Sequence, residues 1–206
     1  MQSPIRSIVV FDLETSGLSA DKNQLLEIAC CPIDIELNNL KEYESGIIKP
    51  YDNREINEGA LRANGITMQQ IENGRDQREV FEEFCDFLSK LSSGRNKPIL
   101  CGHNIFSFDQ PFLYNWFALN KSDLSKFVNL DCSIDTMWWA RLKWIESTNF
   151  KLGTCCENCN IELTDAHRAI TDTRSNRDLV KDFIRSLRSD KRGEGDKEYV
   201  RPRFQF

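Results

Sequence analysis

The stretch "VVFDLETSGL", residues 9–18, constrains this chain more than any other. It starts as an apolar strand and runs into a glycine turn, yet it carries Asp12 and Glu14 two positions apart. Residues i and i+2 of a strand point to the same face. Two carboxylates therefore stand side by side on an element whose other residues demand burial. Unpaired neighbouring charges are costly in such a setting. The fold must bring something to this face that offsets them.

More acids recur in comparable contexts. "GHNIFSFDQPFL" places Asp109 at the start of a helix, with aromatic residues on both sides. "DAHRAITDTRSN" places His167 five residues before Asp172. Five residues turn a helix by about 140°, so His167 reaches the Asp172 site from a loop or from the helix's first residue. Counting seven and eleven from Asp172 reaches Leu179 and Phe183, so the apolar stripe carries Asp172 inward, toward the sheet. An inward acid on a helix and two acids on one strand face point to a common cause, divalent cations that neutralise them. Hard oxygen ligands suit magnesium or manganese. Two such ions roughly 3.5–4 Å apart are the usual arrangement for in-line attack on a phosphodiester.

Periodicity supplies the scaffold. A first strand is expected over residues 5–14, followed by β-rich segments in "LLEIACCPIDIEL" and "YESGIIKP" that make a meander with it. Residues 55–63 read as a helix, and "NGIT" supplies a glycine stop and a new helix start. Val80, Phe81, Phe84, Phe87, Leu88 and Leu91 recur at helical spacing. "PILCGHN" reads as a short buried strand before a helix over 109–119, and "FVNLDCSIDTMWWARLKW" as strand, turn and helix. A short helix puts Leu152, Cys155, Cys156 and Cys159 near one face. The last helix spans about 168–187, with a stripe of Leu179, Val180, Phe183, Ile184 and Leu187. Early strands followed by strands alternating with helices imply a mixed α/β sheet flanked by helices. We expect one domain over 1–188 and a polar tail over 189–206.

A net charge of −5 excludes a protein that coats nucleic acid by electrostatics alone. It leaves room for an enzyme whose carboxylates hold cations that reverse the local field. The eight cysteines read as reduced and mostly buried. "CENC" has the spacing of half a zinc site, but no second pair accompanies it. The tryptophans Trp138, Trp139 and Trp144 read as packing residues, and His103 as a structural histidine. No apolar run approaches the ~18 residues of a membrane span, and "MQSPIRSIVVFDLE" becomes charged too soon for a secretory signal. The expected address is cytoplasmic.

"FDLETSGL", "HNIFSFDQPFL" and "AHRAITD", in that order, resemble the three motifs of the DEDDh 3′–5′ exonucleases, the DnaQ-like group with a ribonuclease H-like fold. "INEGALRANGIT" resembles the family's helix ending in a GIT segment, and "IDTMWWARL" its DT-containing strand-to-helix turn. Together these span roughly residues 9–178. The resemblance implies a five-stranded mixed sheet and two Mg²⁺ or Mn²⁺ ions held by Asp12, Glu14, Asp109 and Asp172. It implies His167 as the general base and release of nucleoside 5′-monophosphates. Main-chain groups near Thr15 and the Leu18 side chain would cradle the 3′-terminal nucleotide. Asn104 and Phe106 would join the same pocket, where stacking contributes roughly 1–3 kcal/mol per base. Asn64 stands where many relatives carry histidine before the GIT segment, and is counted with these contacts.

The implied substrate is a single-stranded 3′ end, DNA ahead of RNA, in a replication or repair setting. An exoribonuclease and a catalytically silent nucleic-acid-binding module of the same fold are the rivals. Retention of all four acids and His167 speaks against the silent module. Because the chain shows no polymerase sequence, a polymerase or other replication partner is expected through the tail, and no membrane partner. Oligomeric state is left open.

Overall fold

The protein is described by a computed structural model covering residues 7–92, 96–163 and 168–189. Five strands form one mixed sheet. β1 (Ser7–Thr15) pairs antiparallel with β2 (Leu25–Asp34), and β2 with the short β3 (Tyr43–Glu44). On its other side β1 pairs in parallel with β4 (Ile99–Gly102), which pairs in parallel with β5 (Asn129–Asp135). The order β3-β2-β1-β4-β5 puts β1 in the centre. This is the ribonuclease H-like arrangement expected from the sequence.

The alternation along β1 divides two cores. Val9, Phe11 and Leu13 face one side, where they pack with α3 (Gln77–Lys90) and α4 (Asp109–Leu119) around the fully buried Phe84, Trp116 and Phe117. Ile8 and Val10 face the other side, toward Val180 of α7 (Ala169–Ser189). Asp12 and Glu14 continue that second face, so the long helix lies over the strand that carries them. α7 closes a further core with Leu179 and Phe183 against α5 (Thr136–Lys143) and α6 (Leu152–Asn158).

The local signals explain the boundaries. α1 (Glu58–Asn64) is capped by the Asn57 side chain and ends at Gly65, whose φ of +69° favours glycine. Thr67 and Gln70 then form a reciprocal capping box that opens α2 (Met68–Glu72). β5 passes into α5 with no turn between them, because the Asp135 carboxylate accepts the Met137 amide as a cap. β4 stops at Gly102, where a Cβ would collide with the Ile105 side chain and lie 2.9 Å from the Phe11 carbonyl oxygen.

Several expectations need correction. The α7 stripe ends before Leu187, which is 70% exposed. Trp138 is exposed under the Arg141 guanidinium, while Trp139 and Trp144 pack against Phe183 as expected. Cys132 is exposed and the other cysteines are buried or half-buried, all of them free. Among the described residues no cysteine joins a group able to hold a metal. No described helix is long and apolar enough to cross a membrane. The tail and its expected partner contact lie outside the described residues, apart from Ser189, which still belongs to α7.

Candidate active site

The three parallel strands end on the same edge of the sheet, and the crevice beyond strand C-termini is the usual place for a ligand in such sheets. β1 delivers Asp12 and Glu14 there, and β4 leads into the loop that ends at Asp109. α7 delivers Asp172 from above. One ligand oxygen each from Asp12, Glu14 and Asp172 lies within 4.8 Å of the others, and all three residues are half-buried. Asp109 stands beside this set without joining it. It is 3% exposed, and its Oδ1 has no hydrogen-bond partner among the described residues.

The electrostatics follow from crowding. Burial pushes the Asp12 carboxyl well above its ordinary range, and the charges of Asp109, Glu14, Asp172 and Glu27 push it further. Glu14 is pushed up to about 8, by burial first and then by Glu27, Asp172 and Asp109, against a hydrogen bond to Asn64 that holds it down. Asp109 is pushed up to about 7 by burial, opposed by its own amide and that of Leu13, with Asp135 adding to the rise. Carboxyls that resist ionisation together, with one buried oxygen left unpaired, fit a site for divalent cations. The donor set is all carboxylate oxygen, which suits hard ions. His167 lies outside the described residues.

Beside Glu14 opens a cavity of about 150 Å³ lined by residues that include Leu13, Thr15, Leu18, Asn64 and Phe108. The Thr15 hydroxyl donates to the Gly17 carbonyl at 2.7 Å, and Asn64 Nδ2 donates to the Thr15 carbonyl at 3.2 Å. Asn64 thereby ties α1 to the end of β1. Leu18 projects at the rim, 86% exposed. Asn104 and Phe106 do not line this cavity. The Asn104 amide is held by Asp135 Oδ1 at 2.9 Å in a left-handed conformation, φ +68°, and Phe106 is exposed nearby.

His103 is anchored at both ring nitrogens, with Nε2 2.7 Å from the Phe150 carbonyl and Nδ1 2.9 Å from the Thr136 hydroxyl. A carbonyl only accepts, so Nε2 carries the proton. Burial holds the ring's pKa down. The same Thr136 hydroxyl lies 2.9 Å from the Asn176 side-chain oxygen on α7, one turn beyond Asp172. This chain of contacts fixes α7 against the end of β4.

The sequence reading missed three participants. Phe108 was seen only as an aromatic neighbour of Asp109. Asp135 was seen only as half of a DT pair. Glu27 lies within the β-rich segment "LLEIACCPIDIEL". It is 1% exposed, directly opposite Glu14 in the ladder, and neither of its carboxylate oxygens has a hydrogen-bond partner among the described residues. The signal available was a lone acid inside "LLEIACC".

The sequence profile of the RNase_T exonuclease family matches residues 9–179. DNA polymerase III PolC-type of Bacillus cereus is 30% identical over 179 residues, which are 87% of this chain and 11% of that protein. The Bacillus subtilis counterpart is 29% identical over 177 residues, 86% of this chain and 11% of its own length. The chain thus spans about a ninth of these relatives. Among solved structures, Escherichia coli exonuclease I in complex with a dA16 oligonucleotide superposes with a TM-score of 0.75 at 21% identity, over 88% of this chain and 42% of that one. A zinc-bound form of the same enzyme with single-stranded DNA gives 0.74 at 20% identity, covering 91% and 42%.

Proposed function

The chain belongs to the RNase_T exonuclease family, and from that premise we propose that it is a metal-dependent 3′–5′ exonuclease trimming single-stranded DNA ends to nucleoside 5′-monophosphates. The observation that carries the proposal is the convergence of Asp12, Glu14 and Asp172 ligand oxygens within 4.8 Å. Three acids placed so close, two from β1 and one from α7, are maintained against their own repulsion.

In this reading Asp12, Glu14, Asp172 and the adjacent Asp109 hold two Mg²⁺ or Mn²⁺ ions. Those ions, when bound, neutralise the acids, polarise the scissile phosphodiester and lower the pKa of the attacking water. Asn64 steadies Glu14 and the end of β1. The cavity between β1 and α1 accepts the terminal nucleotide, with Leu18 and Phe108 as apolar walls. His167 takes the proton released as the phosphodiester is attacked, a role suited to an imidazole whose ordinary pKa is near neutrality.

DNA is preferred over RNA because the aligned relatives are DNA polymerases. The same relatives support a proofreading context for the domain. The deciding experiment incubates 5′-labelled single-stranded DNA and RNA of matched sequence with Mg²⁺, Mn²⁺ or EDTA. A metal-dependent ladder that shortens from the 3′ end of DNA faster than of RNA is the expected result. Faster RNA shortening moves the assignment to an exoribonuclease, and binding without cleavage moves it to a silent module.

A further inference from the structure

Among the described residues Glu27 is the one acid at the site that lies outside the three-residue ligand set and has both carboxylate oxygens buried without a hydrogen-bond partner. Directly opposite residues of an antiparallel pair share a sheet face, so Glu27 faces α7 together with Glu14. Among the charges felt by Glu14, that of Glu27 is the largest. A buried carboxylate with no hydrogen-bond partner is costly to keep, so its retention needs a role.

Its single cationic neighbour among the described residues is Arg168, whose Nη2 lies 3.8 Å from Glu27 Oε1. Arg168 is itself half in solvent, with 53% of its side chain exposed. Its carbonyl accepts the Thr171 and Asp172 amides at 2.9 and 3.1 Å, so Arg168 opens the first turn of α7. Arg168 Nη2 reaches toward Glu27, while Asp172, four residues on, lies with Asp12 and Glu14. The guanidinium carries five N–H donors in a planar fork. Nη2 faces Glu27 and the side chain is 53% exposed, and bidentate recognition of a phosphate oxygen pair is the chemistry arginine performs best.

We infer that Glu27 is a positioning residue that draws the Arg168 guanidinium to the rim of the cluster, and that Arg168 contacts the phosphodiester of the terminal nucleotide. The assignment rests on the exonuclease reading and adds to it a cationic contact that the four acids and the general base do not supply. Glu27 acts only through Arg168; its own oxygens stay out of the ligand set.

The test compares E27Q, R168Q and the double variant with the wild-type chain. E27Q keeps the shape of the buried group, and Arg168 is exposed enough to be replaced without disturbing the core. Three readouts are needed: kcat and KM on 5′-labelled single-stranded DNA, affinity for thymidine 5′-monophosphate in Ca²⁺, and Mn²⁺ binding in the absence of nucleotide. Each single variant is expected to raise KM and weaken thymidine monophosphate binding by about tenfold, with Mn²⁺ affinity within twofold of wild type. The double variant is expected to match the singles. R168K, which keeps the charge and loses the fork, should recover only part of the affinity.

Additive losses in the double variant, or unchanged nucleotide affinity in R168Q, overturn the assignment. A loss of Mn²⁺ binding in E27Q also overturns it, by making Glu27 a ligand. If the wild-type chain shortens no oligonucleotide, the exonuclease reading fails. The pair is then judged on thymidine monophosphate binding alone: equal, non-additive weakening carries the assignment and unchanged affinity ends it.

Discussion

Glu14 of β1 stands directly across the antiparallel ladder from Glu27 of β2, with Glu27 sealed and Glu14 half-open at the edge where the acids converge. Like charges directly opposite in a sheet destabilise it. Asp12, Asp109 and Asp172 add to the same repulsion. The metal-free fold is therefore built around a group of acids that prefers to keep its protons.

A pH dependence follows from that preference. Glu14 moves from 4.5 in the unfolded chain to about 8 in the folded one, and Asp109 from 3.8 to about 7. Between those limits the folded chain holds protons that the unfolded chain has released. Stability accordingly falls as pH rises through this window. The joint contribution is complete below about 3.8 and gone above about 8. In EDTA the melting temperature should drop steadily from about pH 5 to about pH 8.5. Mn²⁺ should restore more at about pH 8 than at about pH 5, since binding has to displace protons. A metal-free melting temperature that rises across the window would contradict the account.

Replacing Asp12 with Asn separates stability from function. The amide keeps the volume and removes one charge from the cluster, so the metal-free protein should melt higher than wild type. Turnover should fall below detection, and the Mn²⁺-dependent gain in melting temperature should shrink. Activity and stability then move in opposite directions, as expected where a strained site is relaxed. Near-wild-type rates in this variant would remove Asp12 from the ligand set.

His167→Ala tests the proposed base. Loss of a general base slows turnover by roughly 10²–10⁴-fold, and the acids that hold cations are untouched. Mn²⁺ affinity should persist while the rate at neutral pH falls by that range. An unchanged rate would hand the proton transfer to another group.

The legible part of this molecule was the part with a period or a motif. Alternation along β1 put Asp12 and Glu14 on one face, and the 3.6-residue repeat of Leu179 and Phe183 turned Asp172 inward. Both inferences used one element at a time, and the sheet and α7 then met as those faces required. What stayed hidden depended on pairs of elements. Nothing in "LLEIACC" tells that Glu27 falls opposite Glu14, because strand register is set by the intervening turn. Phe106 and Phe108 look equivalent in sequence. The backbone turn held by Asp135 leaves Phe106 exposed and sends Phe108 to the cavity beside Glu14. Leu187 fits the apolar stripe by spacing, but it stands 70% exposed in an open groove that it shares with Trp139 and Leu142 of α5.

Thr136 offers a test of how the site is held together at a distance from the acids. It is fully buried, and its hydroxyl lies within hydrogen-bond reach of His103 Nδ1, the Gly102 carbonyl and the Asn176 side chain. Thr136→Val keeps the shape and removes the hydroxyl, whose single proton serves either His103 Nδ1 or Asn176 Oδ1, so one buried acceptor loses its donor. Unpairing a buried polar group costs about 1–3 kcal/mol, which should appear as a lower urea midpoint with an unchanged slope. Because Asn176 follows Asp172 by one helical turn, the loosened contact should also weaken Mn²⁺ binding. Thr136→Ser, which keeps the hydroxyl, should recover most of both losses. If Thr136→Val lowers stability but leaves Mn²⁺ affinity intact, the contact stabilises the fold without setting the position of Asp172. Apolar packing of Leu179, Val180 and Phe183 would then be enough to hold that carboxylate in place.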